Sequence, residues 1–546
     1  MTDPLRGNAA LPRGDAALAR IMLAFEGLKP PRWALERFAA GTTAGLSLFR
    51  FHNVESVGQV AELVAALQRV DRSGLPLLVA ADQEGGQLNS LGVGTTLFPG
   101  NMALGAAGSP LLTLEVARAI GLECRAMGVT VDYAPACDLA NEPRSSSLGG
   151  RCFGSEPDLV ALHAAMFVTG LAEAGVAGAA KHFPGSGSIT VDTHERIGLI
   201  PGEADDLHAA ELVPFKAAIA AGVAMVMSAH AAVPALTGDP TLPATLAPAV
   251  MRDLLRGQLG FRGISITDAL DMRALAQGAG QVVDTIVSLR AGVDVLLGTA
   301  DRESHDRMAA GLRQAALRGL LPDEGTRMAL LRVDRLRRWL ARFPVPSLDV
   351  VGGADHQALA RRAAAASITL VRDDAGLLPL RPAAGERLLV VTPRTRDLTP
   401  ADTSSTLRPD LAAAFRAHGV PDVEAIEVEA RPTDAEIAGV VARARAAGTW
   451  RVVVGTISAE IQPEQAALVR TVLATGVPTV TVSLRTPWDL AHYPEAGTHV
   501  CAWSVVPASI DALAAALTGT APMPGRLPAP VPGLYAPGHR MEMVAS

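Results

Sequence analysis

Five apolar segments in the first half of this chain each end in an ionisable side chain. The residues at these ends are Asp82, Asp138, the pair Lys181 and His182, His230 and Asp268. The segments alternate with longer amphipathic ones, and this alternation predicts a parallel sheet built from strand–helix units. In a barrel of such units the strand bodies fill the core, and the strand ends carry polar groups into one mouth. The pattern therefore predicts an α/β fold with a TIM-type (β/α)8-like barrel, of which the sequence reveals seven strands but not an eighth.

A change of composition near residue 345 predicts a domain boundary. Proline, paired glycines and short polar residues mark 345–358 as a linker that follows a barrel domain of residues 1–344, which would carry the catalytic groups. Beyond the linker the alternation resumes, which predicts a smaller α/β sandwich domain over 359–546 with an irregular Pro/Gly-rich tail. No GxGxxG or GxxxxGK[ST] motif follows a strand there, so we expect a scaffold or a dimer contact.

Composition excludes several classes of partner. The 546 residues carry 48 Lys plus Arg against 55 Asp plus Glu, and the net charge of −7 argues against nucleic acid as the main partner. Aromatic residues make up only 4% of the chain, so a long stacking surface for polymers is not expected. No apolar run reaches the roughly 18 residues of a membrane span, and no secretory signal is recognisable. We expect a cytoplasmic protein with no membrane partner and no cofactor, either a monomer or a dimer, with its four cysteines as buried thiols.

The densest polar segment, KHFPGSGSITVDTHERIGLIP, spans residues 181–201. Glycines open a loop after Lys181 and His182, and the loop contains Asp192 and His194 two positions apart. Residues two apart in an extended chain lie on one face, so the carboxylate can orient the imidazole and raise its basicity. A merely solvated surface loop is the alternative. Beside a strand-end Lys–His pair, we interpret Asp192 and His194 as an acid–base dyad.

Asp268 ends the β-branched segment GISITD and precedes the helix-compatible sequence ALDMRALA. One interpretation is a helix N-cap, for which Asp is a favoured residue. The other is an ionised carboxylate held at a barrel mouth, which is a competent nucleophile for glycosyl transfer. Asp271, three residues further on, is the rival candidate for the same role.

Two further motifs predict groups that bind hydroxyls. Asp82 begins DQEGG, where the glycines permit close approach of a ligand, and Arg151 follows a glycine pair in GGRCFGSEP. A strand-end cap for Asp82 and an Arg–Asp pair that stiffens the loop for Arg151 are equally open. Lysine occurs only three times in the chain, so the placement of Lys181 next to His182 stands out.

Taken together, these motifs resemble the family 3 glycoside hydrolases, and within them the two-domain β-N-acetylglucosaminidase branch. The segments that carry the resemblance are DQEGG, DYAPACDLANEP, GGRCFGSEP, KHFPGSG with DTH, GFRGISITDALDM and AGVDVLL, followed past the linker by LRTPWDLAHYP and GRLPAPVPGLY. The resemblance implies a retaining, exo-acting hydrolase that removes terminal β-linked N-acetylglucosamine, often from peptidoglycan fragments in cell-wall recycling.

The resemblance also implies residue roles. Asp268 matches the nucleophile that forms the covalent glycosyl intermediate, and His194 matches a general acid/base oriented by Asp192. The residues that match sugar-binding positions are Asp82, Arg151, Lys181 and His182. The chain departs from the family pattern at four places. Gln87 and Ser90 stand where the family usually has Arg, and Ser186 and Ser188 stand where it usually has His and Asp, so a less basic substrate pocket is expected.

Several alternatives remain open at this stage. A phosphorylase acting on N-acetylglucosaminides would use the same residues with phosphate as the acceptor, and a β-glucosidase or β-xylosidase would use the same fold. A metal-dependent amidohydrolase would use His182, His194, His230 and Asp268 as ligands, but the usual His-X-His pair is missing from the sequence. A non-catalytic sugar-binding relative is the last alternative.

Overall fold

Eight parallel strands close into a barrel in the first part of the chain, in a computed structural model that describes residues 11–145, 148–191 and 196–542. The strands of this part are, in chain order, β1 (Ile21–Leu23), β2 (Gly45–Ser47), β3 (Leu78–Ala81), β4 (Gln83–Gly85), β5 (Leu88–Asn89), β6 (Val131–Asp132), β7 (Ala177–Phe183), β8 (Gly198–Leu199), β9 (Met225–Ser228), β10 (Ala231–Ala232), β11 (Ile264–Ala269) and β12 (Val295–Leu297). Around the barrel the order is β1-β12-β11-β9-β7-β6-β3-β2, while β4–β5 and β8–β10 form two small separate sheets. The predicted barrel is therefore confirmed.

The strand that the sequence did not reveal is β1, which closes the barrel between β12 and β2. It comprises only Ile21, Met22 and Leu23, and all three residues are buried. Three apolar residues are too few to show a strand periodicity, so only the barrel contacts identify this segment as a strand.

Helices surround the barrel. They are α1 (Arg13–Leu18), α2 (Arg32–Ala39), α3 (Arg50–Asn53), α4 (Val57–Val70), α5 (Asn101–Ala107), α6 (Pro110–Ala126), α7 (Pro157–Glu173), α8 (Ala204–Ala209), α9 (Leu212–Ala220), α10 (Pro234–Thr237), α11 (Ala279–Ala291), α12 (Arg302–Leu317) and α13 (Asp323–Leu340). A π-helical segment, Ala249–Gln258, precedes β11. Within the described chain no helix begins directly after Asp268, because turns separate β11 from α11. The N-cap interpretation of Asp268 is therefore wrong.

The barrel interior is a layer of aliphatic and methionine side chains that helix α13 covers from one end. Met22, Met225 and Ile266 belong to this interior, and Leu336 and Leu340 of α13 pack against it. Because these helix residues lie against the apolar interior, α13 stabilises the end of the barrel where the strands begin.

The second part of the chain is an α/β sandwich around one mixed sheet. Its elements are α14 (Ala354–Ser367), β13 (Thr369–Asp373), β14 (Arg387–Pro393), α15 (Leu411–Ala417), β15 (Val423–Val428), α16 (Asp434–Ala444), β16 (Thr449–Thr456), α17 (Pro463–Leu473), β17 (Thr479–Ser483), β18 (Thr498–Cys501) and α18 (Pro507–Leu517). The strand order is β13-β18-β17-β16-β14-β15, with only the β13–β18 pair antiparallel. Apolar cores cover both faces of the sheet, as the predicted sandwich requires.

Two global expectations can be compared with the structure. Across the three described ranges, no helix combines the length and the apolar character needed to cross a bilayer. All four cysteines are buried free thiols, as the sequence predicts.

Candidate active site

The strand ends of the barrel surround a cavity of about 710 Å³, which we call the mouth cavity. The predicted site residues that line it are Asp82, Arg151, Lys181, His182 and Asp268. They come from four separate segments, and the closed barrel brings them together because parallel strands all end at the same rim. The predicted dyad, Asp192 and His194, lies outside the described residues.

A compact ionic network holds the base of the mouth cavity. Lys181 Nζ contacts Asp82 Oδ1 at 2.5 Å and Glu84 Oε1 at 2.6 Å. Arg151 donates from Nη2 to Glu84 Oε1 at 2.7 Å and from Nε to Glu84 Oε2 at 3.0 Å. Glu84 therefore fixes both cations, and Asp82 is held by the same lysine. Arg151 thus forms an ion pair, but its partner is Glu84 and not the Asp that the sequence alternative expected.

The network sets the charge states of its members. Burial by itself would raise the pKa of Glu84, but the positive charges of Arg151 and Lys181 outweigh it and lower that pKa to about 2. Burial likewise acts to lower the pKa of Lys181, but the carboxylates of Asp82 and Glu84 raise it overall. Glu84 and Lys181 are thus charged at neutral pH, and their contacts with Arg151 and Asp82 hold the four side chains in place.

His182 is oriented by Asp138, a residue that the sequence analysis recognised as a strand end but did not assign to the site. The Nδ1 atom of His182 lies 2.8 Å from Asp138 Oδ2, and the backbone N–H of Ser186 donates to Asp138 Oδ1 at 2.7 Å. Burial acts to raise the pKa of Asp138, but His182 and the backbone donors lower it overall. A carboxylate that accepts from Nδ1 leaves Nε2 of His182 as the ring atom available to a ligand.

The polar loop is the loop that follows His182 within the segment 181–201. Two contacts hold its described part in place. Gly187 lies so close to the Leu139 carbonyl that a side chain would collide with it. Ser188 donates to Glu211 Oε1 at 2.8 Å. Burial raises the pKa of Glu211 to about 7, although the hydrogen bond from Ser188 acts in the opposite direction. The serine at position 188 therefore attaches the loop to a carboxyl group that changes its charge near neutral pH.

Asp268 is the penultimate residue of β11, and it lines the mouth cavity. Its Oδ1 accepts the backbone N–H of Ala269 at 2.7 Å. Asp271 lines the same cavity, so it remains a rival by position. His230 is buried beside this strand, with Nε2 3.1 Å from the Ala269 carbonyl oxygen and Nδ1 2.8 Å from Thr245 Oγ1.

The metal-site alternative gains no support from the described residues. Among them, no group of three or more His, Cys, Asp or Glu side chains is arranged to hold an ion. His230 instead contacts a hydroxyl and a backbone carbonyl, so its ring positions the end of β11.

The second domain supplies one wall of the mouth cavity, which the sequence did not predict. The segment 397–403 lines the cavity opposite the barrel strands. Thr403 N donates to the Gln87 carbonyl at 2.8 Å, and Asn89 N donates to Thr403 Oγ1 at 3.0 Å. Because both bonds join backbone or hydroxyl groups across the domain boundary, they are invisible to any local sequence pattern.

A buried ion pair stiffens this wall. Arg485 Nη1 donates to Asp402 Oδ2 at 3.1 Å, and Arg485 Nη2 donates to Ser404 Oγ at 2.7 Å. Both charged side chains are almost fully buried. Arg485 belongs to the LRTPWDL segment, which lies immediately after β17. The second domain thus does more than serve as a scaffold, because it completes the pocket.

Other basic residues stand in the cavity wall, although Gln87 and Ser90 lack positive charge. Arg50, His52 and Arg273 all line the mouth cavity. Burial lowers the pKa of Arg50, and its Nη1 has no hydrogen-bond partner among the described residues. Phe51, between Arg50 and His52 in the sequence, lies at the rim with 65% of its surface exposed. The expected loss of basic character is therefore offset by residues of the α3 segment, which no motif marked.

Comparison with known proteins identifies the family. Residues 28–336 match the glycosyl hydrolase family 3 N-terminal domain, and residues 368–537 match the family 3 C-terminal domain. The chain belongs to glycosyl hydrolase family 3, and it is a glycosidase.

Three relatives illustrate the relationship. "Beta-hexosaminidase A" of Pseudoalteromonas piscicida is 32% identical over 403 residues, covering 69% of this chain and 66% of that protein, just under two thirds of its length. "Beta-N-acetylglucosaminidase/beta-glucosidase" of Cellulomonas fimi is 29% identical over 495 residues, covering 83% of each chain. The solved family 3 β-N-acetylglucosaminidase of Paenibacillus sp. str. FPU-7 has a TM-score of 0.89 at 33% identity, and the match covers 96% of this chain and 99% of that one.

Proposed function

We propose that this glycosidase is a retaining, exo-acting β-N-acetylglucosaminidase that hydrolyses terminal β-linked N-acetylglucosamine. The observation that carries the proposal is the position of Asp268, a carboxylate at a strand end that shares one cavity with Asp82, Arg151, Lys181 and His182. Relatives of this chain that bear the name β-hexosaminidase or β-N-acetylglucosaminidase support the choice of sugar.

The binding groups fit a neutral sugar. Asp82 offers carboxylate oxygens to neighbouring hydroxyls, Lys181 offers a donor, and His182 offers the Nε2 atom that its contact with Asp138 leaves available. Glu84 and Asp138 lie behind these groups and hold them through the contacts described above. Because the cavity is walled on one side by the segment 397–403, it favours a terminal sugar over the middle of a polymer.

The reaction proceeds in two displacements. In the first, the Asp268 carboxylate attacks the anomeric carbon, the bond to the aglycone oxygen breaks, and His194 gives that oxygen a proton. In the second, His194 takes a proton from water, the water oxygen attacks the same carbon, and the bond to Asp268 breaks. Asp192 is the positioning residue that stabilises the imidazolium form of His194. Two inversions at one carbon give net retention.

The experiment that tests the proposal is a screen of aryl β-glycosides with analysis of the released sugar by proton NMR. We expect the N-acetylglucosaminide to be cleaved fastest and the first-formed product to be the β-anomer. A faster reaction with the glucoside or xyloside would refute the choice of sugar, and an α-anomer would refute the covalent intermediate.

The acceptor is tested in the same assay by adding inorganic phosphate. We expect N-acetylglucosamine as the product with and without phosphate. Formation of N-acetylglucosamine 1-phosphate would identify a phosphorylase instead.

A further inference from the structure

A second cavity, of about 660 Å³, lies at the opposite end of the barrel, where the strands begin. We call it the base cavity. Its walls include the residues that precede or begin three barrel strands, Val176, Val223 and Ile264, and one side of helix α13 with Leu336 and Trp339. The walls are thus mainly apolar, and the Trp339 indole gives them one flat aromatic face.

Five arginines also line the base cavity. They are Arg262, Arg332, Arg335, Arg338 and Arg342. Two of them have acidic partners: Arg332 donates to Asp294 Oδ1 at 2.6 Å, and Arg338 donates to Asp334 Oδ2 at 2.7 Å. The other three form no ion pair with any residue in the described ranges, although Arg262 and Arg342 each donate to a backbone carbonyl.

The positive charge continues beneath the cavity. Asp294 also accepts from Arg256 Nη2 at 2.5 Å, so one carboxylate serves two guanidinium groups. Arg20 is buried beside them, and it donates to the carbonyl oxygens of Val293 and Asp294 and to the hydroxyl of Thr326. Burial lowers the pKa of Arg20 to about 10, an effect that the neighbouring Arg332 strengthens. This end of the barrel therefore carries more positive charge than its own acids compensate.

We propose that the base cavity binds a small polyanion that carries an aromatic ring, and that a nucleoside triphosphate has this chemistry in its simplest form. Several guanidinium groups around one opening match several phosphate oxygens, because each guanidinium offers a planar fork of donors. The ring would lie on Trp339 and cover the apolar wall. Guanidinium groups offer donors but no acceptors, so the ligand that matches a ring of them presents acceptor oxygens, as phosphates do.

The binding test is isothermal titration calorimetry on the full chain with ATP in magnesium-free, low-salt buffer, alongside inorganic triphosphate and adenosine. We expect ATP to bind more tightly than either part alone, because charge and ring contribute together. We also expect the affinity to fall as salt rises, since exposed charges are screened. Absence of binding by ATP at millimolar concentration would overturn the proposal, as would equal affinity for triphosphate and ATP, which marks an adventitious anion site.

Variants locate the site. The double variant R335E/R342E should weaken ATP binding by at least ~10-fold, since each charge-assisted hydrogen bond contributes about as much free energy as a tenfold change in affinity. The matched control is Arg318→Glu, an exposed arginine of the α12 C-terminus that does not line the cavity, and it should leave ATP affinity within about twofold. Trp339→Leu keeps an apolar side chain but removes the ring, so it should weaken ATP and leave triphosphate unchanged.

Two outcomes would show that ATP binds elsewhere or that the surface has another role. If N-acetylglucosamine competes with ATP, the nucleotide occupies the mouth cavity and the proposal is wrong. If R335E/R342E alters the oligomeric state in analytical ultracentrifugation while ATP affinity stays the same, this face is a contact between copies of the chain.

Discussion

The two ends of the barrel differ in the balance between acidic and basic side chains. At the mouth, acids and bases alternate in one network, in which Glu84 contacts Arg151 and Lys181, and Lys181 also contacts Asp82. At the base, Asp294 is shared by Arg256 and Arg332, and further arginines line the opening. The same eight strands connect both ends, so the contrast arises from the residues at their termini. A cavity for a neutral sugar must balance its own charges, whereas a cavity for an anion can leave that balance to its ligand.

The sharpest way to test the mouth is to remove its proposed nucleophile. Asp268→Asn should lower kcat by roughly 10⁴-fold or more, because removal of a covalent nucleophile disables the whole catalytic unit. Steady-state kinetics with an aryl N-acetylglucosaminide measures the effect. The comparison variant is Asp271→Asn in the same cavity, and if it proves the more damaging change, the roles of the two carboxylates must be exchanged.

The second test concerns the acid/base group on the polar loop. His194→Ala should lower kcat by ~10²–10⁴-fold for substrates with poor leaving groups, the usual contribution of a general acid. Substrates with much better leaving groups, such as dinitrophenyl glycosides, need no protonation and should recover most of the rate. A uniform loss across all leaving groups would contradict the acid role of His194.

The third test removes the acid that organises each end. Glu84→Gln leaves Arg151 and Lys181 with less negative charge, and Asp294→Asn does the same to Arg256 and Arg332. Each change should lower the free energy of unfolding by ~3–5 kcal/mol, the typical cost of leaving a buried charge without its partner. Chemical denaturation of both variants and of the parent protein measures this effect.

The same pair of variants separates the two ends by function. Glu84→Gln should also raise KM for the glycoside, because Lys181 and Arg151 line the mouth cavity, whereas Asp294→Asn should leave KM unchanged. Equal effects on KM would show that the two ends are not independent.

The fourth test uses pH. In the folded protein Glu211 has a pKa of about 7, above its ordinary value of 4.5, so the folded state binds more protons between these values. The contribution of Glu211 to the free energy of unfolding therefore falls as pH rises from 4.5 to about 7. The total fall is about 3 kcal/mol. Glu211→Gln should remove that fall when unfolding is measured at pH 5 and pH ~7.5.

The control for this test is Glu62→Gln, which changes an exposed glutamate of α4. It should leave the pH dependence of unfolding as it is in the parent protein. An unchanged pH dependence in Glu211→Gln would mean that Glu211 does not carry a displaced pKa.

The smallest expected effect is at the rim of the mouth. Phe51 is 65% exposed there, where an aglycone would leave the cavity. Phe51→Ala should raise KM for aryl glycosides by ~2–10-fold with little change in kcat, because one aromatic contact contributes ~0.5–1.5 kcal/mol. Phe51→Leu retains apolar area and should change KM less. A loss confined to kcat would assign Phe51 to a different role.

The sequence predicted those parts of the site that lie at strand ends. Asp82, Lys181, His182 and Asp268 each follow an apolar run, and that pattern is local. The barrel then brings them together by a general rule of parallel strands. The resemblance to family 3 supplied the roles that geometry alone leaves open.

The features that sequence reasoning missed depend on contacts between distant segments. Strand β1 is recognised only because β12 and β2 pair with it. Asp138 matters because the fold places His182 against it, 44 positions further along the chain. Arg50 and the segment 397–403 carry no motif, and their importance follows from the cavity they line. Tertiary packing determines such contacts. The local hydrophobic periodicity of a single sequence does not reveal them.

The wall formed by residues 397–403 has a consequence for protein synthesis. Chains are made from the N-terminus, and domains fold as units as they leave the ribosome. A nascent chain that has released residues 1–344 already carries the barrel strands and Asp268, yet the mouth still lacks one side. The pocket is finished only after the second domain has emerged and docked through Thr403 and Gln87. Full substrate recognition is thus acquired late, at the step that joins the two domains.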